Sequence, residues 1–229
     1  MKLLITFLLS SFLLAAPDPS QIIEKSVKQF SLVQSYSADI DFVFDIPSVN
    51  MKNMSGQVYY KSPDKYRTKI SGLAFIPNEN PIKIYHFLRD KSKYNAVYEG
   101  EEALKSGPSN IVNIIPKGKA DFMLGKLWID KKTNTIVKVI LTSQQGSIRM
   151  ENKFGNMAKY SLPDQTIFYL DNFKPNLLKM KPSLNKKKTE TATEDKIGTI
   201  TMKYSNYKIN IPVSDTLFSK KEKNVSKTK

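Results

Sequence analysis

Residues 37–46 alternate with a period of two: Ala38, Ile40, Phe42, Phe44 and Ile46 fall on one side and Asp39, Asp41 and Asp45 on the other, with Val43 the exception. That period sends successive side chains to opposite faces of an extended chain, so the segment predicts a β-strand with one dry face and one wet face. The alternation returns in Gly56, Val58 and Tyr60 against Gln57, Tyr59 and Lys61. After a Ser62-Pro63-Asp64 turn it appears again in Tyr66, Thr68 and Ile70 against Lys65, Arg67 and Lys69. Further strands are predicted over 82–88, 94–98, 122–129, 136–142, 147–154, 166–170 and 197–210, with hairpin turns at 131–135 and 143–146.

Two stretches break this rhythm. Asp18-Pro19-Ser20-Gln21 reads as a helix start, with a capping carboxylate, a proline at the first helical position and a glutamine able to reach back. Ile23, Val27 and Phe30, with Ile22 alongside, then form an apolar stripe on a helix of about four turns ending near Ser35. Within 101–115, Ser109 predicts the cap of a short helix carrying Ile111, Val112, Ile114 and Ile115. Many strands with short links and few helices imply a mainly β (α+β) fold, a single curved antiparallel sheet with an apolar concave face. Two small helices cover little of such a face. Either the sheet closes on its own side chains or it leaves an apolar cavity for a ligand.

The N-terminal residues 1–16 change the cellular picture. One lysine precedes a short apolar run that ends in Ala15 and Ala16, the pattern of an export signal peptide. A membrane-crossing helix needs ~20 apolar residues, and this run is shorter. Export is the expectation, with the cleavage point left open by Pro17 and a retained, tethering signal as the alternative. The chain has no cysteine, which removes a disulfide scaffold, a thiolate metal site, a cysteine nucleophile and an acylated N-terminal cysteine. One domain over 17–218 fits the remaining length.

The formal net charge is +15, a balance that favours negatively charged partners. Residues 174–196 hold seven lysines against Glu190, Glu194 and Asp195, and residues 219–229 hold five against Glu222, a surplus of four in each. Eight of the fifteen charges therefore sit in a lysine-rich loop and a tail, both poor in large apolar groups and expected to lack fixed structure.

Candidate chemistry is sparse. His86, the single histidine, alternates with Ile82, Ile84 and Leu88 toward the dry face and reads as a core residue rather than a base. No Gly-x-Ser-x-Gly elbow, phosphate loop or zinc spacing occurs, so no catalytic residue, cofactor or metal is expected. Asp39, Asp41 and Asp45 share a face and invite weak Ca²⁺ binding, but a solvated face opposing Lys65, Arg67 and Lys69 is the plainer reading. Export, and the lack of a basic patch interleaved with aromatics, argue against nucleic acid.

Several segments in this order resemble the periplasmic carriers of outer-membrane lipoproteins (LolA-like) and the wider lipoprotein-sorting proteins built on the same half-barrel. They are the helix leading into the strand at 36–44, the run Gly56-Gln57-Val58-Tyr59-Tyr60-Lys61-Ser62-Pro63-Asp64-Lys65-Tyr66-Arg67, Leu127-Trp128-Ile129-Asp130-Lys131 with Ile136-Val137-Lys138-Val139, and Tyr207-Lys208-Ile209-Asn210 with Asp215 and Phe218. The resemblance covers residues 20–218. It implies an unclosed β-barrel with an N-terminal helix and a short lid helix, whose interior holds acyl chains of a lipoprotein or lipid and carries them through the periplasm toward the outer membrane. It implies a monomeric carrier and not an enzyme, loaded by an inner-membrane transporter and unloaded at an outer-membrane receptor.

On this reading Ile40, Phe42, Phe44, Val58, Tyr60, Tyr66, Ile70, Ile148 and Met150 contact acyl chains, with Ile111, Val112, Ile114 and Ile115 in the lid. The same side chains also suit an ordinary core. One departure stands out. Many such carriers place an arginine before the proline corresponding to Pro63 and bond it to the lid, whereas Ser62 has no planar multi-donor group. Two alternatives accompany the carrier: an envelope-stress sensor of lipoproteins, and a basic module whose lysine-rich loop and tail make peripheral contact with anionic lipid or lipopolysaccharide.

Overall fold

The computed structural model describes residues 16–47, 51–70, 82–144, 146–170 and 197–219. The predicted signal peptide apart from Ala16, the lysine-rich stretch 174–196 and the tail beyond Ser219 lie outside the described residues. Helix α1 (Pro19–Ser31) is followed by β1 (Ser35–Asp45), β2 (Met54–Lys61), β3 (Lys65–Ile70), helix α2 (Lys83–Leu88), β4 (Tyr94–Leu104), β5 (Gly107–Pro116), β6 (Leu124–Asp130), β7 (Ile136–Ser143), β8 (Gly146–Lys153), β9 (Gln165–Leu170) and β10 (Gly198–Ile209). The strands form one antiparallel sheet in the order β3-β2-β1-β10-β9-β8-β7-β6-β5-β4. It does not close: β3 and β4 are its two edges. This is the unclosed, mainly β half-barrel expected.

Strands β1, β2 and β3 keep the period read in the sequence. Ile40, Phe42, Val58 and Tyr60 are buried on the concave side, and Asp41, Ser55 and Gln57 stand in solvent on the other. Register links distant parts of the chain: Phe44 sits opposite Ile200, Ile200 opposite Phe168, and Phe168 opposite Met150. At Gly56 the packing tolerates no side chain, because a Cβ there would lie 2.3 Å from the Lys69 carbonyl oxygen. The 131–135 hairpin is present and is capped by buried Asp130, which accepts from the Thr133 amide at 2.7 Å and the Lys132 amide at 3.0 Å.

Helix α1 starts where expected, with Asp18 accepting from the Ser20 amide at 2.8 Å, and it buries Ile23, Ser26 and Phe30. It stops at Ser31, short of Ser35. The Asn210 side chain accepts the Gln34 amide at 2.7 Å and Ser35 already pairs with Lys61, so the chain is drawn into β1.

Two predicted elements are corrected. Residues 82–88 are not a strand but contain α2. Ile84, Tyr85 and Leu88 are buried together, a helical spacing that the Ile82/Ile84/His86/Leu88 alternation concealed in so short a run. The connection from β3 to β4 must travel from one edge of the sheet to the other, and α2 lies in that crossing. Conversely, the capped helix predicted at Ser109 is strand β5. The β-branched run Ile111, Val112, Ile114 and Ile115 fits a pleated strand better than a helix. Val112 and Ile114 face the main core. Ile111 faces outward into a small second cluster with Trp128 and Val137, and Ile115 is exposed. Over that outer cluster, Trp128 donates to Glu102 at 2.6 Å and the Lys138 ammonium lies 4.2 Å above its ring. The second helix exists, but the four residues assigned to a lid helix belong to the wall.

A candidate apolar binding site

The antiparallel registers give the sheet two unlike ends. At one, β1 and β3 begin and β2 and β10 finish, gathering Tyr36, Tyr60, Tyr66 and Tyr207. At the other, β1, β3 and β9 finish and β2, β8 and β10 begin, gathering Phe44, Met54, Ile70, Ile148 and Leu170.

The tyrosine end is closed by stacked rings. Phe30 of α1 stacks on Tyr85 of α2 with centroids 4.9 Å apart and meets Tyr60 at 5.5 Å, and Tyr60 meets Tyr36 at 5.5 Å. Burial pushes the phenols of Tyr36, Tyr204 and Tyr207 well above the usual range and that of Tyr66 up to about 12, so these groups stay neutral. Arg89, just after α2, donates to the Pro63 carbonyl at 3.2 Å while its guanidinium lies 5.5 Å above the Phe30 ring. Among the described residues Ser62 contributes its backbone amide, bonded to the Gln34 carbonyl at 2.7 Å. A guanidinium therefore joins helix and sheet here from the helix side. Nothing in sequence tied Arg89 to Pro63.

His86 completes this layer. Its imidazole sits edge-on to Tyr60 at 5.8 Å and 5.9 Å from Phe30, and Nε2 is buried without a hydrogen-bond partner among the described residues. Burial first, and the nearby Arg89 charge second, lower its pKa from 6.5. It is held by a helix, not by the strand expected, and still packs as a half-buried core residue.

The aliphatic end is looser. Phe44, Met51, Met54, Ile70, Leu141 and Leu170 pack against the core while only partly buried. Of the nine residues predicted to contact acyl chains, Ile40, Phe42, Val58, Tyr60 and Met150 are buried in the main core, with Phe42 1% exposed. Phe44, Tyr66 and Ile70 pack half-buried against them. Ile148 stands apart at 37% exposure. In this state α1, α2 and the sheet's own side chains cover the deeper contacts. A groove of about 580 Å³ lies instead at the tyrosine end, between Gln34, Lys61, Ser62, Ile211, Val213 and Ser214, and contains none of the nine.

On the convex face the aspartates are used up in cross-strand bonds. Asn206 donates to Asp39 at 2.7 Å and Ser55 to Asp41 at 2.5 Å. Their direct neighbours are β2 and β10; Lys65 lies one strand further and pairs with Asp215 at 2.9 Å. Among the described residues no cluster of His, Asp or Glu is arranged to hold a metal ion.

No family model and no curated protein matches this sequence. Solved structures do. A LolA superfamily protein from Nitrosomonas europaea superposes with a TM-score of 0.58 at 14% identity, covering 90% of this chain and 99% of that one. An outer membrane lipoprotein-sorting protein domain from Vibrio parahaemolyticus gives 0.59 at 10% identity, covering 88% and 97%. A DUF1329 family protein from Desulfovibrio piger gives 0.56 at 11%, covering 89% and 98%. The chain thus shares their fold over nearly its whole described length.

Proposed function

We propose that this protein, with the fold of the LolA superfamily, is an exported periplasmic carrier that takes the acyl chains of lipids or lipoproteins between its concave sheet and its two helices. The observation that carries this reading is the unequal closure of the concave face: aromatic rings and Arg89 seal one end, while the other is lined by half-buried, flexible aliphatic and methionine side chains. Hydrocarbon enters at the aliphatic end, between Phe44, Ile70, Leu141 and Leu170, and moves toward Phe42 and Met150. Transfer of about ten methylenes from water is worth ~8 kcal/mol, which is micromolar binding before any polar contact. Because Phe42, Ile40 and Val58 are already covered, the guest selects a minor opened form, and its affinity falls in proportion to that form's population. Weak, reversible capture suits a protein that must pass its cargo from a loading transporter to an outer-membrane receptor.

Native mass spectrometry of the protein isolated from its own envelope tests the proposal. An added mass that fragments to acyl chains is the expected result. Protein that emerges free of lipid, and that takes up no fluorescent fatty acid in solution, overturns it.

A further inference from the structure

Seven large apolar side chains are prominently exposed among the described residues: Leu32, Val97, Ile115, Met123, Leu124, Ile148 and Ile197. Single exposed aliphatics are ordinary on any surface. Their distribution here is not even. Leu32, at the C-terminus of α1, stands alone near the tyrosine end, whereas the other six lie at or near the aliphatic end. Four of them converge. Ile114 pairs with Gly125, so the next residues outward, Ile115 and Leu124, stand at the adjoining ends of two neighbouring strands, Met123 precedes Leu124, and Val97 lies on the adjoining edge strand β4.

We infer that this tip, built by Val97, Ile115, Met123 and Leu124 beside the exposed Lys117 and Lys119, is a docking surface for an anionic phospholipid bilayer. The shape fits a bilayer better than a protein. Four side chains around a turn at the end of a sheet offer far less than the roughly 800 Å² per partner of a stable protein interface, but a few aliphatics can be buried among lipid headgroups. The charge fits as well. Lys117 and Lys119 are exposed in the β5–β6 connection and have no ion pair among the described residues, and Asp121 is the single acid between them and Leu124. The neighbouring cations Lys93 and Lys126 are occupied by Asp90 and Glu99. Basic residues near an anionic surface each add attraction that salt screens, while the aliphatics add an attraction that it does not.

This surface does not depend on the cargo reading, although it lies at the same end as Phe44 and Leu170 and would bring that opening to the lipid.

The experiment uses the full mature chain and vesicles of phosphatidylcholine with and without phosphatidylglycerol. Met123 and Leu32 are matched controls, 54% and 55% exposed at opposite ends. The M123S/L124S variant is expected to bind phosphatidylglycerol vesicles about tenfold more weakly than the parent, and L32S to bind as the parent does. K117S/K119S is expected to lose most of the salt-sensitive part of binding. As a direct readout, the added emission of Met123→Trp shifts to the blue on vesicles and that of Leu32→Trp does not. Equal losses in M123S/L124S and L32S, parental binding by M123S/L124S, or a tip-dependent dimer in sedimentation without lipid each overturn the inference. Lipid uptake in free solution that survives M123S/L124S separates this surface from the carrier site.

Discussion

The two ends of the half-barrel use the same sheet for opposite purposes. At the tyrosine end every element is tied down: Phe30, Tyr60 and Tyr85 stack, Arg89 reaches Pro63, Asn210 holds the start of β1, and Gln29 of α1 donates to the Thr133 carbonyl in the β6–β7 turn at 2.8 Å. At the aliphatic end Phe44 stacks on Phe42 with centroids 6.2 Å apart, and the other residues there, Met54, Leu141 and Leu170, are half-buried with no hydrogen-bonding side chain. Aromatic stacks and hydrogen bonds specify one arrangement, whereas methionine and leucine tolerate several. On the proposed carrier role, the first end acts as the hinge and the second as the mouth.

The largest effect that distinguishes them is on stability. Phe30→Ala and Tyr60→Ala each remove a fully buried ring and are expected to cost about 3–5 kcal/mol in denaturant unfolding, against about 1–2 kcal/mol for half-buried Phe44→Ala. Equal losses would erase the contrast.

Charge insertion separates structure from cargo. Phe42→Glu places a carboxylate in a site 1% exposed and is expected to unfold the sheet, as seen in its circular dichroism. Phe44→Glu, at the rim, is expected to keep the fold and lose most uptake of a fluorescent fatty acid. A folded Phe42→Glu protein would mean that the deep layer is roomier than its burial implies.

The Arg89 contact offers a finer test. Arg89→Gln removes both the ring contact and the reach to Pro63, with an expected loss of about 1 kcal/mol, faster amide exchange over 83–89 and raised fatty-acid uptake. Unchanged exchange in α2 would show that the helix is held by Tyr85 and Leu88 alone.

The smallest effect concerns pH. Since burial lowers the pKa of His86 in the folded state, its unfolded form binds the proton more readily. Stability is then full above pH 6.5 and declines as pH falls from 6.5 toward the lowered folded value. Thermal unfolding of His86→Phe across this window should lack that step. A step of the same size in the variant would assign it to other groups.

Much of this was legible in the chain. The period of two at 37–46, at 56–61 and at 65–70 placed each side chain on its correct face, and Asp18-Pro19 marked the helix start within a residue. The misread segments share a cause. Residues 82–88 and 109–115 are short and carry four or five apolar side chains each, and such runs satisfy both helical and strand patterns until a neighbour decides. For 109–115 the neighbours are β4 and β6, which supply backbone partners. For 82–88 no strand is placed alongside among the described residues, and the backbone bonds to itself, as in Arg89 to Tyr85 at 3.1 Å. Ile148, expected in the interior's lining, is exposed because it lies near the start of β8 at the aliphatic end, and Ile115, expected in a lid, is exposed because it alternates with core-facing Ile114 onto the outer face of β5.

The sequence by itself determined which faces of β1, β2 and β3 are dry and where α1 begins, because side-chain direction along a strand and helix capping are set by neighbouring residues alone, and its lack of cysteine removes thiol chemistry. Only the tertiary structure decided which apolar side chains are sealed and which are left at the rim. Those outcomes depend on pairings such as Phe44 with Ile200 and contacts such as Arg89 with Pro63, between residues that local periodicity cannot relate.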